Sequence, residues 1–225
     1  VGTLLSGGLD SSLVTAIAAR HTQHLSAFHV SIEGFPKLDE RRYAEHLSER
    51  LKIPFVPLSL TGAMFRKALP TAIYLSDLPL THPNTIAYHL ISKTAREHGV
   101  IVLLSGEGAD ELFGGYSRYG LRLNIHRQLT RVPRPLRRPL GMAVGLLPTG
   151  LMSPHPAARL ELLADILKEP RTELLYRDMI SHWRRPDQVV INSHEPATVL
   201  SDPAQWPMLP DFLHFMMYTD LRSYL

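Results

Sequence analysis

The chain has 225 residues, with 24 Lys and Arg against 21 Asp and Glu for a net charge of +3, 44% hydrophobic residues and no cysteine. A chain of this length buries roughly 70% or more of its unfolded surface and needs no covalent staple; without cysteine, disulfides and thiolate metal sites are excluded, and a reducing, cytoplasmic setting fits. The longest apolar run, Met142 to Leu147, is far short of the ~18 to 20 residues of a membrane span.

In chain order, strands are predicted at Gly2 to Leu5, Leu25 to Ile32, Pro54 to Leu60 and Val100 to Leu104. Helices are predicted between them. Ser11 to Arg20 carries a stripe of Leu13, Val14, Ile17 and Ala18 at helical spacing. Asp39 to Leu51 places Asp39 as N-cap with Tyr43, Ala44, Leu47 and Leu51 on one face. Thr61 to Leu75 and Thr85 to His98 complete the set, with Gly99 ending the last as a C′ glycine. The alternation predicts an α/β fold with a mostly parallel sheet and flanking helices.

Beyond Gly120 the texture becomes all-helical. Six prolines between Arg131 and Pro156 leave room there only for short helical pieces, whereas 160–168, 170–183 and 210–225 read as helices. No Asp or Glu occurs from Leu112 to Leu160, while Arg118, Arg122, Arg127, Arg131, Arg134, Arg137, Arg138 and Arg159 fall there, so the basicity is local. The expected organisation is an α/β core over 1–120 and a helical portion over 121–225. The chain opens at Val1 within a predicted strand and stops at Leu225 within a helical pattern. A piece of a longer protein is expected.

The strongest chemical signal is Ser6-Gly7-Gly8-Leu9-Asp10-Ser11-Ser12, where a strand gives way to a helix. Two glycines let the backbone turn tightly and approach a ligand, the following helix offers N–H groups and its positive dipole end, and the serines add hydroxyl donors. No lysine follows, so this is not the loop of terminal-phosphoryl transfer. An ordinary strand-to-helix turn would use the same glycines; Asp10 and the serines exceed what a turn requires.

The second signal is Ser105-Gly106-Glu107-Gly108-Ala109-Asp110-Glu111, followed by Leu112-Phe113-Gly114-Gly115-Tyr116. It lies at the carboxyl end of a predicted strand, the sheet edge that holds the ligand crevice in doubly wound folds. A solvated acidic turn is the plain alternative. Three acids among glycines also suit Mg²⁺, which takes oxygen ligands and bridges polyphosphate. Asp10 and Asp110 are the candidate metal pair, leaving Glu107 free to act on substrate.

The two strings together resemble the synthetase domain of glutamine-hydrolysing asparagine synthetases, members of the PP-loop ATP pyrophosphatase group. The resemblance covers essentially the whole chain, and the second string selects this branch over other ATP pyrophosphatases. It implies a PP-loop fold of the HUP-like, adenine nucleotide alpha hydrolase-like kind, with a helical C-terminal part. It implies ATP binding by Leu5, Ser6, Gly7, Gly8, Leu9, Asp10, Ser11 and Ser12, with Val30 at the adenine and Ser105 and Gly106 also lining the site. Mg²⁺ would lie on Asp10 and Asp110, and Glu107 matches the acid needed to form β-aspartyl-AMP. The implied activity is ATP-dependent amidation of aspartate to asparagine, with AMP and pyrophosphate released and ammonia coming from glutamine through an N-terminal glutaminase domain absent from these residues. Family members also continue past the Tyr218-Thr219-Asp220-Leu221 helix to complete the site, so the isolated fragment is expected to be inactive. A homodimer is compatible with this reading; nucleic acid and membrane partners are not expected.

An alternative within the same chemistry is an amidating or β-lactam-forming synthetase acting on another carboxylate, and one outside it is a non-catalytic nucleotide-binding module. Asp39-Glu40 faces the site or simply begins a helix, and His82-Pro83-Asn84 approaches the aspartate or simply caps one. The twelve histidines show no H-x-x-x-H or H-E-x-x-H pairing and read as scattered surface or core residues. The arginine run lacks interleaved aromatics and reads as a solvated or interdomain face before an RNA grip.

Overall fold

The computed structural model describes residues 1–77, 82, 84–148, 154–168, 176–177, 180–181, 189–190 and 196–223. They form two compact units, Val1–Glu107 and Gly108–Leu225.

The first unit contains β1 (Gly2–Leu4), α1 (Leu9–His21), β2 (Ser26–Ile32), α2 (Arg41–Leu51), β3 (Phe55–Leu60), α3 (Gly62–Ser76), α4 (Asn84–Glu97) and β4 (Leu103–Leu104). The strands form a parallel sheet in the order β3-β2-β1-β4. Period-2 alternation sends Phe28, Val56 and Leu58 to one face, where they pack with Ile91 and Ala95 of α4; Ala27 and Phe55 go to the other, against Ala44 and Leu47 of α2. Thr61 caps α3 by accepting the Met64 N–H at 3.1 Å. Gly99, at φ +74°, ends the α4 segment as expected.

Three expectations need correction here. The buried face of α1 is Ser11, Thr15 and Ala18, while Leu13 and Ile17 are about half exposed. Small side chains let this helix approach the sheet, and Thr15 Oγ1 donates back to the Ser11 carbonyl at 2.7 Å. Helix α2 starts at Arg41, and Asp39 instead accepts the Arg41 N–H from two residues upstream at 2.9 Å. The fourth strand shrinks to Leu103 and Leu104, because its register offers only Gly2 and Thr3 of the short β1 as partners.

The second unit contains α5 (Ala109–Phe113), α6 (Ser117–Arg131), α7 (Arg134–Gly145), α8 (Pro154–Lys168) and α9 (Phe212–Ser223). The sequence reading did not mark α6. It expected only short pieces between 131 and 156, yet α7 runs unbroken for 12 residues through Pro135 and Pro139. Pro135 lies in the first turn, where its missing N–H would have had no intrahelical acceptor, so only Pro139 removes a bond. The helix is held along α8, where Gly141 lies so close that a Cβ would meet the Ala164 carbonyl oxygen at 2.8 Å. Most of the helix expected at 170–183 lies outside the described residues. Among the described residues no helix is long and apolar enough to cross a membrane.

Tyr119, Tyr176, Phe215 and Met216 form a buried cluster beside Asp220, which is 1% exposed. Asp220 Oδ2 accepts from Arg118 Nη2 at 2.7 Å, the Tyr119 hydroxyl at 2.8 Å and the Tyr176 hydroxyl at 2.7 Å. A buried carboxylate is tolerated because donors surround it and one is a cation.

Replacing Asp220 by Ala strands those donors and is expected to lower stability by about 3 to 5 kcal/mol in urea unfolding. Burial first, then the hydrogen bond to Asp220 and its charge, hold both phenols well above their ordinary value of 10.0. The folded chain therefore keeps protons that the unfolded chain releases above that pH; this stabilisation is complete below the unfolded pKa and declines as pH rises further. Phenolate absorbance should titrate later in the native protein than in urea; coincident curves would refute this.

Candidate functional site

Leu5, the residue after β1, is 1% exposed and its N–H donates to the Phe28 carbonyl at 2.8 Å. The chain then turns through Ser6, Gly7 and Gly8 into α1. Gly7 has φ +102°, and a Cβ there would lie 2.6 Å from the Glu40 carbonyl oxygen, so glycine is required twice over. Gly8 is the N-cap of α1 and supplies no capping side chain, leaving the amino end of a 13-residue helix free of side-chain caps.

The serines do not all play the expected part. Ser11 is buried, and its Oγ accepts from the Ser6 N–H at 3.2 Å and donates to the Gly8 carbonyl at 3.2 Å. With that proton committed, the Ser6 hydroxyl is the donor in the 2.9 Å bond between the two side chains, and it also accepts the Gly8 N–H at 3.2 Å. These hydroxyls brace the loop from within. Ser12 is half-buried and makes no such brace.

The second motif reaches the same place from β4. The β1–β4 boundary is where the strand order reverses direction, and crevices in open parallel sheets lie beyond the carboxyl ends of such strands. Gly106 lies against the start of α1: a Cβ there would fall 2.8 Å from the Ser11 nitrogen and 3.2 Å from Asp10 Cβ. Ser105 Oγ accepts the Glu107 N–H at 3.4 Å. Val30, two residues past the last pair of β2 with β1, stands half-buried at the same sheet edge. The first unit thus gathers Leu5 to Ser12, Val30, Ser105, Gly106 and Glu107.

Four further residues belong here. Exposed Glu107 accepts a hydrogen bond from the Tyr88 hydroxyl of α4 through Oε1. His29, 2% exposed, donates through Nδ1 to the Leu5 carbonyl at 2.8 Å and turns Nε2 to Asp39 Oδ1 at 3.5 Å. Glu40 lies over Gly7, with Oε2 4.0 Å from where a Cβ on Gly8 would stand. Asp39-Glu40 therefore packs on the loop as well as preceding a helix. The Asp39-Glu40 string carried a sequence signal; Tyr88 and His29 carried none, because single aromatics and histidines at such spacing are common in cores.

Asp110 belongs to the second unit, half-buried in the first turn of α5. Its carboxylate lies over Gly115, where a Cβ would fall 2.1 Å from Oδ1, so that glycine gives the acid its room. The adjacent Glu111 is 3% exposed and accepts from the Tyr116 hydroxyl at 2.6 Å. Among the described residues no ion pair engages Asp10 or Asp110, and no group of three or more His, Cys, Asp or Glu forms a metal cage. A half-buried carboxylate without an ion pair suits a hard cation that takes its other oxygens from phosphate and water, and each unit presents one, Asp10 in the first and Asp110 in the second. His82 and Asn84 are described, whereas Pro83 lies outside the described residues.

The asparagine synthase family model matches residues 1–225. The chain belongs to the asparagine synthase family. A Bacillus subtilis (strain 168) relative, named asparagine synthetase (glutamine-hydrolyzing) 1, is 35% identical over 153 residues, covering 67% of this chain and 23% of that protein. A Mycobacterium tuberculosis (strain ATCC 25618 / H37Rv) relative with an asparagine synthetase name of the same kind is 37% identical over 153 residues, with the same shares of 67% and 23%. A rice (Oryza sativa subsp. japonica) relative, asparagine synthetase (glutamine-hydrolyzing) 2, is 35% identical over 128 residues, covering 51% of this chain and 21% of its own length. The chain thus spans about a quarter of the length of the curated relatives it matches. Within this family assignment, the contact between the two loops gives a direct test. Gly106→Ala should cost about 1 to 3 kcal/mol through overpacking and raise amide hydrogen exchange at the amino end of α1. Gly34→Ala, where φ is +84° but no atom lies within 4 Å, should cost about 1 to 2 kcal/mol and leave that exchange unchanged. Equal exchange at the start of α1 in both variants would refute the loop contact.

Proposed function

We propose that this domain serves ATP-dependent amidation of aspartate to asparagine through a β-aspartyl-AMP intermediate, using ammonia released from glutamine outside these residues. The observation that carries the reading is the close seating of the Ser105–Glu107 loop on the amino end of α1 at the sheet's switch point, in a chain that belongs to the asparagine synthase family.

The chemistry follows from the problem to be solved. Hydroxide is a poor leaving group, so a carboxylate and ammonia do not condense at useful rates; adenylation replaces it with AMP. The β-carboxylate oxygen attacks the α-phosphorus of ATP and the bond to pyrophosphate breaks. Ammonia then attacks the acyl carbon, AMP leaves, and the surplus proton is lost.

In this reading Leu5 to Ser12 bind ATP. The unfilled N–H groups and dipole of α1 face the pyrophosphate end, and the charge that builds on departing pyrophosphate is stabilised by groups already in position. Ser6 and Ser11 hold the loop, Ser12 is the hydroxyl left to reach a phosphate oxygen, Val30 meets adenine, and Ser105 and Gly106 close the wall. Asp10 and Asp110 would hold Mg²⁺, which when bound neutralises polyphosphate charge. Glu107 orients ammonia or takes its proton, and the Tyr88 hydroxyl fixes the carboxylate's direction.

In the full-length protein, ATP–pyrophosphate exchange should depend on aspartate; exchange only with another carboxylate would replace asparagine formation by a different amidation. Glu107→Gln should lower turnover by about 10² or more, as loss of a general acid–base does, with ATP affinity unchanged. Tyr88→Phe should lower kcat by about tenfold, the loss of one hydrogen bond to a charged group, without raising the KM for ATP. Unchanged kcat in Tyr88→Phe would remove the tyrosine from the site.

A further inference from the structure

The second unit carries a cavity of about 800 Å³ between α7 and α8 that shares no residue with the nucleotide loop. Its charged lining is Arg134, Arg137, Arg138 and Lys168, and its apolar lining is Pro135, Met142 and Leu167. Among the described residues no carboxylate lines it. The size falls within the ~300 to 1,000 Å³ of small-molecule sites.

Arg137 is the informative residue. It is 8% exposed, and its Nε donates to the Val132 carbonyl at 2.9 Å. Among the described residues no carboxylate pairs with this guanidinium. A cation withdrawn from water without a counter-charge is costly, and a solvated face does not account for it. Exposed Arg134 and Arg138 add like charge four residues apart on the same helix, an arrangement that opposes helix formation. Asp165 lies 3.8 Å from Lys168, and among the described residues no acid pairs with any of the three arginines. Among the described residues no counter-charge accounts for that array, whereas an anion in the cavity would satisfy it.

We propose that this cavity is a second ligand site, taking a small soluble phosphate monoester with an apolar body. A phosphate monoester carries close to two negative charges at neutral pH and three acceptor oxygens, which planar guanidinium forks bind in pairs. Pro135, Met142 and Leu167 give the apolar body its contact, Met142 being the adaptable element. One buried arginine in a recess suits a single anionic group reaching inward; a polyanion tracking the surface would meet the exposed arginines and leave Arg137 unmatched.

Hexyl phosphate, titrated calorimetrically into the full-length protein, is the probe, with inorganic phosphate and hexanol beside it. Saturable one-site binding is expected for hexyl phosphate, weaker binding for inorganic phosphate and none for hexanol. The double variant Arg134→Gln/Arg138→Gln should bind hexyl phosphate about tenfold more weakly or worse, since charge-assisted bonds are lost, while its melting temperature is no lower than the wild type's and its response to ATP is unchanged. Arg137→Gln should abolish binding; because that buried change also threatens folding, the exposed double variant decides the matter. Absence of saturable binding, or equal affinity in the double variant, overturns the proposal. So does arginine-dependent binding confined to phosphatidic acid vesicles, which assigns a lipid headgroup, or tighter binding of an RNA oligonucleotide or an acidic peptide than of hexyl phosphate.

Discussion

A β-carbon at residue 106 would stand 2.8 Å from the Ser11 nitrogen, a separation that real side chains do not tolerate. That absence of a side chain lets the loop after β4 rest on the amino end of α1. The rest of the first unit supplies the two surfaces that meet there. The parallel order β3-β2-β1-β4 sets β1 and β4 side by side with their carboxyl ends on one edge. Small buried residues on α1 draw that helix onto the sheet, and the bonds between Ser6, Ser11 and Gly8 fix the turn before it. A bulkier chain at any of these points would separate the loops and leave the helix end facing water.

Several polar side chains surround this contact. His29 ties the end of β1 to the Asp39-Glu40 segment, and Glu40 covers the left-handed glycine of the loop. Tyr88 from α4 meets Glu107. Each of these contacts joins elements far apart in sequence. Their shared effect is to hold a flexible, glycine-rich segment in one conformation, which is what a site that stabilises developing charge requires. Asp220 does comparable work in the second unit, gathering Arg118 and Tyr119 of α6 and the distant Tyr176 onto one carboxylate oxygen.

The second unit departs most from what its sequence suggests. Pro135 and Pro139 argue against a helix, yet α7 persists because one of them occupies a position that needs no N–H and because Gly141 lets α8 pack at close range. The arginine run that reads as a solvated face splits by burial. Arg134 and Arg138 remain in water, Arg137 is withdrawn from it, and Arg118 is paired with Asp220 and stacked on the Tyr116 ring 3.8 Å away. Charge counted along a sequence does not reveal which members of a run pay the cost of desolvation.

The strand–helix alternation, the two glycine-containing loops, their acids and the family were all legible in the sequence, because each is written in local composition: β-rich runs, glycine where the backbone must turn, carboxylates at fixed spacing. The faces of the elements were less legible. Leu13 and Ile17 form the apolar stripe, but Ser11, Thr15 and Ala18 are the buried face, since close approach to a sheet selects small size over hydrophobicity. Tyr88 beside Glu107, His29 beneath Leu5 and the unpaired burial of Arg137 left no sequence trace. They depend on which distant residues the fold brings within a few ångströms, and that is decided by strand order and helix packing, which no local pattern encodes.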